Sequence, residues 1–84
     1  MSKFNMYAVK DELTGKFMNP MFEEVGEYAN NLAIRQFKSQ VNNIPLWKDN
    51  PNDYSLYLVG TFDEEEGAAA TSLEKIISGR SVVE

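Results

Sequence analysis

Aromatic side chains close to lysines are the residues of this chain whose types and spacing most clearly suggest a chemical role. Examples are Tyr7 three residues before Lys10, Phe17 directly after Lys16, and Trp47 directly before Lys48. Aromatic rings stack on unpaired bases and lysines contact phosphates, a combination typical of proteins that hold single strands. Core packing is the competing interpretation, and it is the stronger one for Phe17 and for Tyr57 on a later predicted strand.

Trp47 has two interpretations that the sequence leaves open. It is the only tryptophan and lies in a polar segment that runs from Leu46 to Asp53 and contains a proline. A tryptophan in such a position either fills an edge of the core or marks an interface. In the second case Trp47, Lys48 and Tyr54 are the candidate partner-binding residues.

Side chains that commonly perform catalysis or hold metals are scarce. The chain contains no histidine and no cysteine, so the most common general base, the thiol nucleophile and the usual zinc ligands are missing. The consecutive carboxylates from Asp63 to Glu66 do not have the alternating spacing of an EF-hand loop, and no glycine-rich phosphate-binding motif occurs. We therefore expect a non-enzymatic protein without a metal site, a cofactor or a disulfide.

Charge is distributed unevenly along the chain. The net charge of -5 argues against a polycation-type nucleic-acid binder. Six basic and five acidic residues lie up to Lys48, whereas two basic and eight acidic residues follow from Asp49 onward. We therefore expect any anion-binding face in the first half. The candidate nucleic-acid-binding residues are Lys3, Tyr7, Lys10, Lys16, Phe17, Arg35 and Lys38.

A β-hairpin is the first element predicted to position these side chains. Residues 4–9 have the alternating pattern of a strand, and Gly15 supplies the left-handed residue of the following turn. The return strand is expected over residues 17–22. Pro20 removes a backbone donor within it, which places this strand at the edge of a sheet.

A helix over residues 24 to 42 is the most distinct predicted element. Apolar residues recur in it at intervals of three and four: Val25, Tyr28, Ala29, Leu32, Ala33, Phe37 and Val41. We expect Leu32, Ala33 and Phe37 to face a sheet. The glutamates near residue 24 are expected to complement the dipole at the helix N-terminus.

The second half predicts another hairpin, with an alternative for its last part. A strand over residues 54–62 leads into the turn Asp63 to Gly67, whose Asp-Glu-x-x-Gly pattern also occurs from Asp11 to Gly15. Two hairpins flanking the helix give the order β-β-α-β-β, an α+β domain in which a small antiparallel sheet packs against one main helix. Thr71 and Glu74 have the spacing of a capping box, which favours a short helix there instead.

The whole chain, residues 1–84, is expected to form a single domain with a flexible tail over residues 78–84. A chain of this length buries a small core, so a homodimer would add buried surface. No apolar run reaches the about 18 residues of a membrane helix, and the N-terminus lacks the apolar region of a signal peptide. We therefore expect a cytoplasmic protein without membrane contact.

Several motifs, in their order and spacing, resemble a viral protein family. They are Met6-Tyr7-Ala8-Val9 with Asp11 and Gly15, then Ala33-Ile34-Arg35-x-Phe37, then Val41-Asn42-Asn43, and then Asn50-Pro51-x-Asp53-Tyr54-x-Leu56-Tyr57-x-Val59-Gly60-x-Phe62-Asp63-Glu64. Over roughly residues 4 to 67 the chain is similar to the small non-structural protein of gokushovirus-type microviruses, which are single-stranded DNA phages of bacteria.

The resemblance implies a protein that acts in the cytoplasm of the infected bacterial host, in genome replication or packaging. It implies no catalytic residues, and single-stranded DNA is the first expected partner. The acidic second half keeps another hypothesis open, in which the chain is a protein-interaction module that docks on the replication initiator or on the capsid assembly machinery.

Overall fold

A four-stranded antiparallel sheet and one main helix form the domain. The computed structural model describes residues 3–84. The strands β1 (Lys3–Asp11), β2 (Phe17–Glu24), β3 (Tyr54–Asp63) and β4 (Ala68–Ser78) are arranged in the order β2-β1-β3-β4. The main helix is α1 (Ala29–Asn43), followed by the short helix α2 (Pro45–Asp49) and by 3-10 turns at Pro51–Asp53 and Gly79–Ser81. The predicted α+β class is confirmed.

Both hairpins close through the same type of turn. Asp11 Oδ1 accepts hydrogen bonds from the backbone N–H groups two and three residues later, and Asp63 Oδ1 does the same. Gly15 and Gly67 adopt positive φ angles of 77° and 64°, a conformation that costs glycine little. The repeated Asp-Glu-x-x-Gly pattern therefore encodes one turn twice, at opposite ends of the sheet, because β1 and β3 pair antiparallel.

β2 lies at the edge of the sheet, as its proline predicts. Pro20 follows Asn19, which has a φ of 53°, and the pairing with β1 shifts by one residue between the positions of Tyr7 and Val9. An irregularity of this kind bends an edge strand and interrupts its ladder. The strand nevertheless continues to Glu24, beyond the predicted end at Phe22.

The core lies between α1 and one face of the sheet. Its buried side chains come from β1, β2, α1, α2, β3 and the C-terminal segment: Tyr7, Val9, Met21, Ala33, Phe37, Val41, Trp47, Tyr54, Leu56 and Val82. Ala33 and Phe37 face the sheet as predicted. Leu32 does not, because the buried stripe of α1 repeats every four residues from Ala29, which leaves Leu32 40% exposed.

The predicted start of the main helix at residue 24 is wrong. The backbone remains extended through Glu24, and the Val25 N–H donates to the Lys3 carbonyl over 2.9 Å, so pairing with β1 continues past the strand. Gly26 and its neighbours then form the turn that leads into α1 at Ala29. The first turn of α1 holds no acidic residue, so the expected role of the glutamates at its dipole is also wrong.

The short helix predicted from Thr71 is wrong as well. β4 is a continuous strand that pairs with β3 from Ala68 opposite Asp63 to Ser78 opposite Ser55. Pairing with a strand that precedes it in the chain overrides the local capping signal. Residues 46–53, predicted as a loop, contain most of α2 and a 3-10 turn.

The C-terminal segment packs against α1. Val82 is buried, and the Asn42 amide donates to the Val82 carbonyl over 3.0 Å. The side-chain oxygen Oδ1 of Asn42 accepts a hydrogen bond from the Glu84 N–H over 2.7 Å. These contacts attach the C-terminal segment to α1. The flexible tail expected over residues 78–84 stays a prediction, which NMR relaxation measurements can test.

Candidate nucleic-acid interface

The sheet face opposite α1 is the surface on which exposed aromatic and basic side chains meet. Side chains alternate along a strand, so the neighbours of the core residues Tyr7, Val9 and Leu56 point away from the helix. We call this surface the open face, and it is formed by Ala8, Lys10, Phe17, Tyr57, Val59, Leu73 and Lys75. It draws residues from all four strands.

Two aromatic rings and a lysine form the centre of the open face. The Phe17 and Tyr57 rings meet edge to face, with centroids 5.6 Å apart and planes at 84°. Lys10 Nζ lies 5.7 Å from the Phe17 centroid and 5.5 Å from the Tyr57 centroid, within the range of a cation–π contact. Phe17 is 44% exposed, so a ring edge and a cation are presented to solvent together.

Glu12 connects the cations of the open face. Its carboxylate lies 3.7 Å from Lys10 Nζ and 3.9 Å from Lys75 Nζ, and it accepts a hydrogen bond from the Tyr57 hydroxyl over 3.2 Å. Burial raises the pKa of Tyr57, and the hydrogen bond and charge of Glu12 raise it further. Tyr57 therefore remains a neutral donor at physiological pH, and both lysines have a carboxylate partner that another anion could replace.

A depression adjoins the ring pair. It has a volume of about 590 Å³ and an apolar floor, and it is lined by Ala8, Phe17, Val59, Thr71, Ser72 and Leu73. Leu73 is 66% exposed at its rim. A flat apolar group of about the size of a base can lie in such a depression beside the Phe17 ring.

The structure does not bring all predicted nucleic-acid-binding residues to this face. Tyr7 is fully buried, and its hydroxyl donates to Asn30 Oδ1 within the domain, so its ring is not available to a base. Burial raises the pKa of Tyr7. Arg35 and Lys38 lie on α1, across the sheet from the open face, and Lys38 pairs with Glu84 at 3.2 Å.

Three of the predicted residues do lie close together. Lys10 pairs with Phe17 across β1 and β2, and Lys16 directly precedes Phe17 at the exposed end of the first hairpin. Lys3 lies at the other end of β1, opposite Asp63 of β3. Of the predicted cations, Lys10 therefore belongs to the open face, and Lys16 lies next to it at the end of the hairpin.

The predicted partner-binding set is not assembled as a surface. Trp47 and Tyr54 stack on each other with centroids 4.6 Å apart and planes at 17°, and both belong to the core at 6% exposure. Burial raises the pKa of Tyr54, and the nearby Asp11 and Asp53 raise it further. Of this set only Lys48 is exposed. The structure thus favours the interpretation of Trp47 as a residue that fills an edge of the core.

The sequence alone indicates no binding role for Lys75 or Glu12 of this site, and it favours a core position for Tyr57. The segment of Lys75 is also compatible with a helix, and the sequence indicates only a turn around Glu12. The alternation of Ser55, Tyr57 and Val59 with Tyr54, Leu56 and Leu58 was the available signal that Tyr57 faces away from the helix.

None of the helices within residues 3–84 has both the length and the apolar character that a membrane span requires. In the same range, no three acidic side chains cluster in a way that could hold a metal ion.

Comparison with known proteins identifies a family. The family model described as Phage ORF5 protein matches residues 4–82, which is nearly the whole chain. No curated protein and no solved structure matches the chain significantly.

Proposed function

The chain belongs to the Phage ORF5 protein family and is therefore a phage protein, and from this premise we propose that it binds single-stranded DNA through the open face. The observation that carries the proposal is the contact of the exposed Phe17 ring with the half-buried Tyr57 ring, with Lys10 lying beside both rings. Base stacking on aromatic side chains combined with phosphate contacts is the usual means of holding single strands without strong sequence preference.

The residues of the open face have separate roles in this proposal. Phe17 and the adjoining depression receive bases, while Tyr57 supports the Phe17 ring from the side. Lys10 and Lys75 contact phosphates once the strand displaces the Glu12 carboxylate, and Lys16 adds a cation at the end of the hairpin. Tyr7, Arg35 and Lys38 are left out of the site, because they lie in the core or on the other side of the sheet.

The acidic character of the chain is compatible with this role because the charges are segregated. Two lysines share one carboxylate at the open face, whereas much of the negative charge lies elsewhere, including the turn Asp63 to Gly67 at the opposite end of the sheet. Phosphate binding by such a small cationic cluster is expected to be weak and strongly dependent on salt.

The biological setting is part of the proposal. We place the chain among the non-structural proteins of gokushovirus-type microviruses, acting without catalysis in genome replication or packaging in the cytoplasm of the infected bacterium. A replication or capsid protein is a further candidate partner. The alternative in which Trp47 anchors such a partner loses its support, because Trp47 is buried against Tyr54.

A homodimer also belongs to the proposal. β4 has a strand neighbour on one side only, and its backbone groups on the outer side are available for pairing with another chain. A small domain gains stability from the added burial. Light scattering at high micromolar concentration should give twice the monomer mass, and the monomer mass would contradict this part.

Titration of a labelled single-stranded oligonucleotide of mixed sequence tests the main proposal. We expect saturable binding at low salt that weakens steeply as salt rises, and weaker binding of the same sequence as a duplex, whose bases are not free to stack. Absence of binding at low salt, or equal affinity for both forms, would overturn the function proposed for the open face.

A further inference from the structure

A groove lies where β2 leads into α1. It has a volume of about 370 Å³ and is lined by Glu23, Glu24, Val25, Gly26, Glu27, Tyr28, Ala29 and Leu32. We call it the acidic groove. It lies at the Glu24 end of β2, whereas Phe17 of the open face begins that strand. The two surfaces are therefore at different ends of the domain.

Apolar side chains line this groove without being covered. Val25 is 51% exposed, Tyr28 62% and Leu32 40%. These residues belong to the apolar stripe whose periodicity predicts burial against the sheet, yet the buried stripe of α1 runs through Ala29, Ala33 and Phe37 instead. Neighbouring exposed apolar residues with a polar rim are typical of a surface that contacts another molecule.

Carboxylates form the rim of the groove. Glu23, Glu24 and Glu27 line it together. Among residues 3–84 no lysine or arginine pairs with any of them, whereas Glu12 and Glu84 each have a lysine within 4.0 Å. Glu23 accepts a hydrogen bond from the Gln36 amide, a neutral partner that leaves its charge in place. The groove therefore combines an apolar floor with three carboxylates that have no lysine or arginine of residues 3–84 within 4.0 Å.

We propose that the acidic groove binds a basic segment of a protein partner. An apolar side chain of that segment packs against Val25, Tyr28 and Leu32, and flanking lysines or arginines pair with the three carboxylates. Complementary charge is the argument for this occupant, since oppositely charged surfaces both attract and orient a partner.

Charge also argues against the other occupants. A nucleic acid would bring phosphates next to three carboxylates. A second copy of this chain, placed by a two-fold axis through the groove, would bring the same three carboxylates of each subunit together. The inference does not depend on DNA binding, because it concerns a different surface and a different class of ligand.

A short synthetic peptide in which lysine and leucine alternate is the probe. NMR amide shifts of the full chain, recorded during titration with this peptide, should change most at Val25, Gly26, Glu27, Tyr28 and Leu32. One control peptide carries serine in place of leucine and another carries glutamate in place of lysine. We expect the serine peptide to bind more weakly and the glutamate peptide not to bind.

A pair of charge-matched variants separates a local site from general attraction to an acidic protein. Glu24→Lys with Glu27→Lys alters the rim of the groove, and Asp49→Lys with Asp53→Lys makes the same change of net charge at the other end of the sheet, just before β3 begins. The groove variant should lose at least about ten-fold in peptide affinity, which corresponds to about 1.4 kcal/mol. The variant at the other end should lose much less.

The apolar floor is tested in the same way. Tyr28→Ser should weaken peptide binding several-fold, while Leu46→Ser, at a residue that is 61% exposed on α2, should leave it unchanged. Shift changes that map elsewhere, or equal losses in the two charge variants, would overturn the proposal. So would concentration-dependent shifts at the groove without peptide, which would identify a second copy as its occupant. The mapping on the parent protein remains decisive if a variant fails to fold.

Discussion

The Phe17 and Tyr57 rings meet edge to face although they lie on β2 and β3, which are not neighbours in the sheet. β1 runs between these strands and places Ala8 in register with Tyr57. Because alanine extends no further than a methyl group, the two rings can approach each other above β1. Ala8 thus contributes to the open face through its small size, and it forms part of the floor of the adjoining depression.

Removal of either ring should weaken binding of single-stranded DNA. We expect Phe17→Ala to cost about 1 to 3 kcal/mol of binding free energy, the typical contribution of a base–aromatic contact, and Tyr57→Ala to cost less, because Tyr57 acts by supporting the Phe17 ring. Fluorescence anisotropy with a labelled oligonucleotide measures the change. Leu46→Ala removes an exposed apolar side chain from α2 and should have no effect. Comparable losses in all three variants would indicate that the open face is not the binding surface.

Glu12 should oppose DNA binding, so its neutralisation should strengthen it. Glu12→Gln removes the carboxylate that lies near both Lys10 and Lys75, which leaves both cations free for phosphates. Lys10→Gln should weaken DNA binding. It should also reduce the magnitude of the slope of log affinity against log salt by about 0.7, the value for one lost phosphate contact to a single strand. Lys38→Gln, on α1, is the matched control and should change neither quantity. Weaker binding by the Glu12 variant would contradict the proposed competition.

The core assignment predicts a contrast between two residues of α1. Phe37 is fully buried, so Phe37→Ala should reduce the free energy of unfolding by about 3 to 5 kcal/mol. Leu32 is 40% exposed, and Leu32→Ala should cost much less. Urea denaturation followed by circular dichroism measures both. Near-parental stability of the Phe37 variant would contradict the packing of α1 on the sheet.

Alkaline pH should destabilise the domain through its buried tyrosines. Burial first, and then the charges of Asp11 and Asp53, raises the pKa of Tyr54 above its ordinary value of 10.0. The unfolded chain therefore loses this proton at a lower pH than the folded chain. Stability should be unaffected by Tyr54 below pH 10.0 and should fall as the pH rises from there through the raised pKa of the folded state. Thermal denaturation across this range measures the loss, which Tyr54→Phe should reduce.

Local patterns predicted those elements whose signals agree with their tertiary contacts. The two turns carry an aspartate and a glycine at the required positions, and alternation predicted β1 and β3. The start of α1 failed because the apolar periodicity continues backwards through Val25 and Tyr28, which are exposed and follow an extended strand. The predicted second hairpin is confirmed, and only the alternative short helix from Thr71 is wrong, because the spacing of Thr71 and Glu74 does not report the pairing of β4 with β3.

The sequence predicts only part of the candidate site, again because local patterns do not report tertiary contacts. Lys10 and Phe17 were found from residue type alone. Tyr7 was included because it is near Lys10 in the chain, although an odd separation along a strand places two side chains on opposite faces. Tyr57 has even spacing with Val59, and its contact with Lys10 also assigns it to the open face. The contact between Phe17 and Tyr57 depends on strand order, which no local pattern specifies.

The pairing of β1 with β3 at the centre of the sheet has a consequence for how the domain folds. Each hairpin can form within its own short segment, and α1 can form from local contacts. The pairing of β1 with β3, however, joins one strand from each hairpin, so neither hairpin forms it alone. Joining β1 to β3 requires the chain to close a loop that contains β2, α1 and α2. Closing such a loop costs chain entropy before the central contacts form, so we expect this step to limit the folding rate. Substitutions at the β1–β3 interface should therefore slow folding, whereas substitutions at the outer edges of β2 and β4 should mainly speed unfolding.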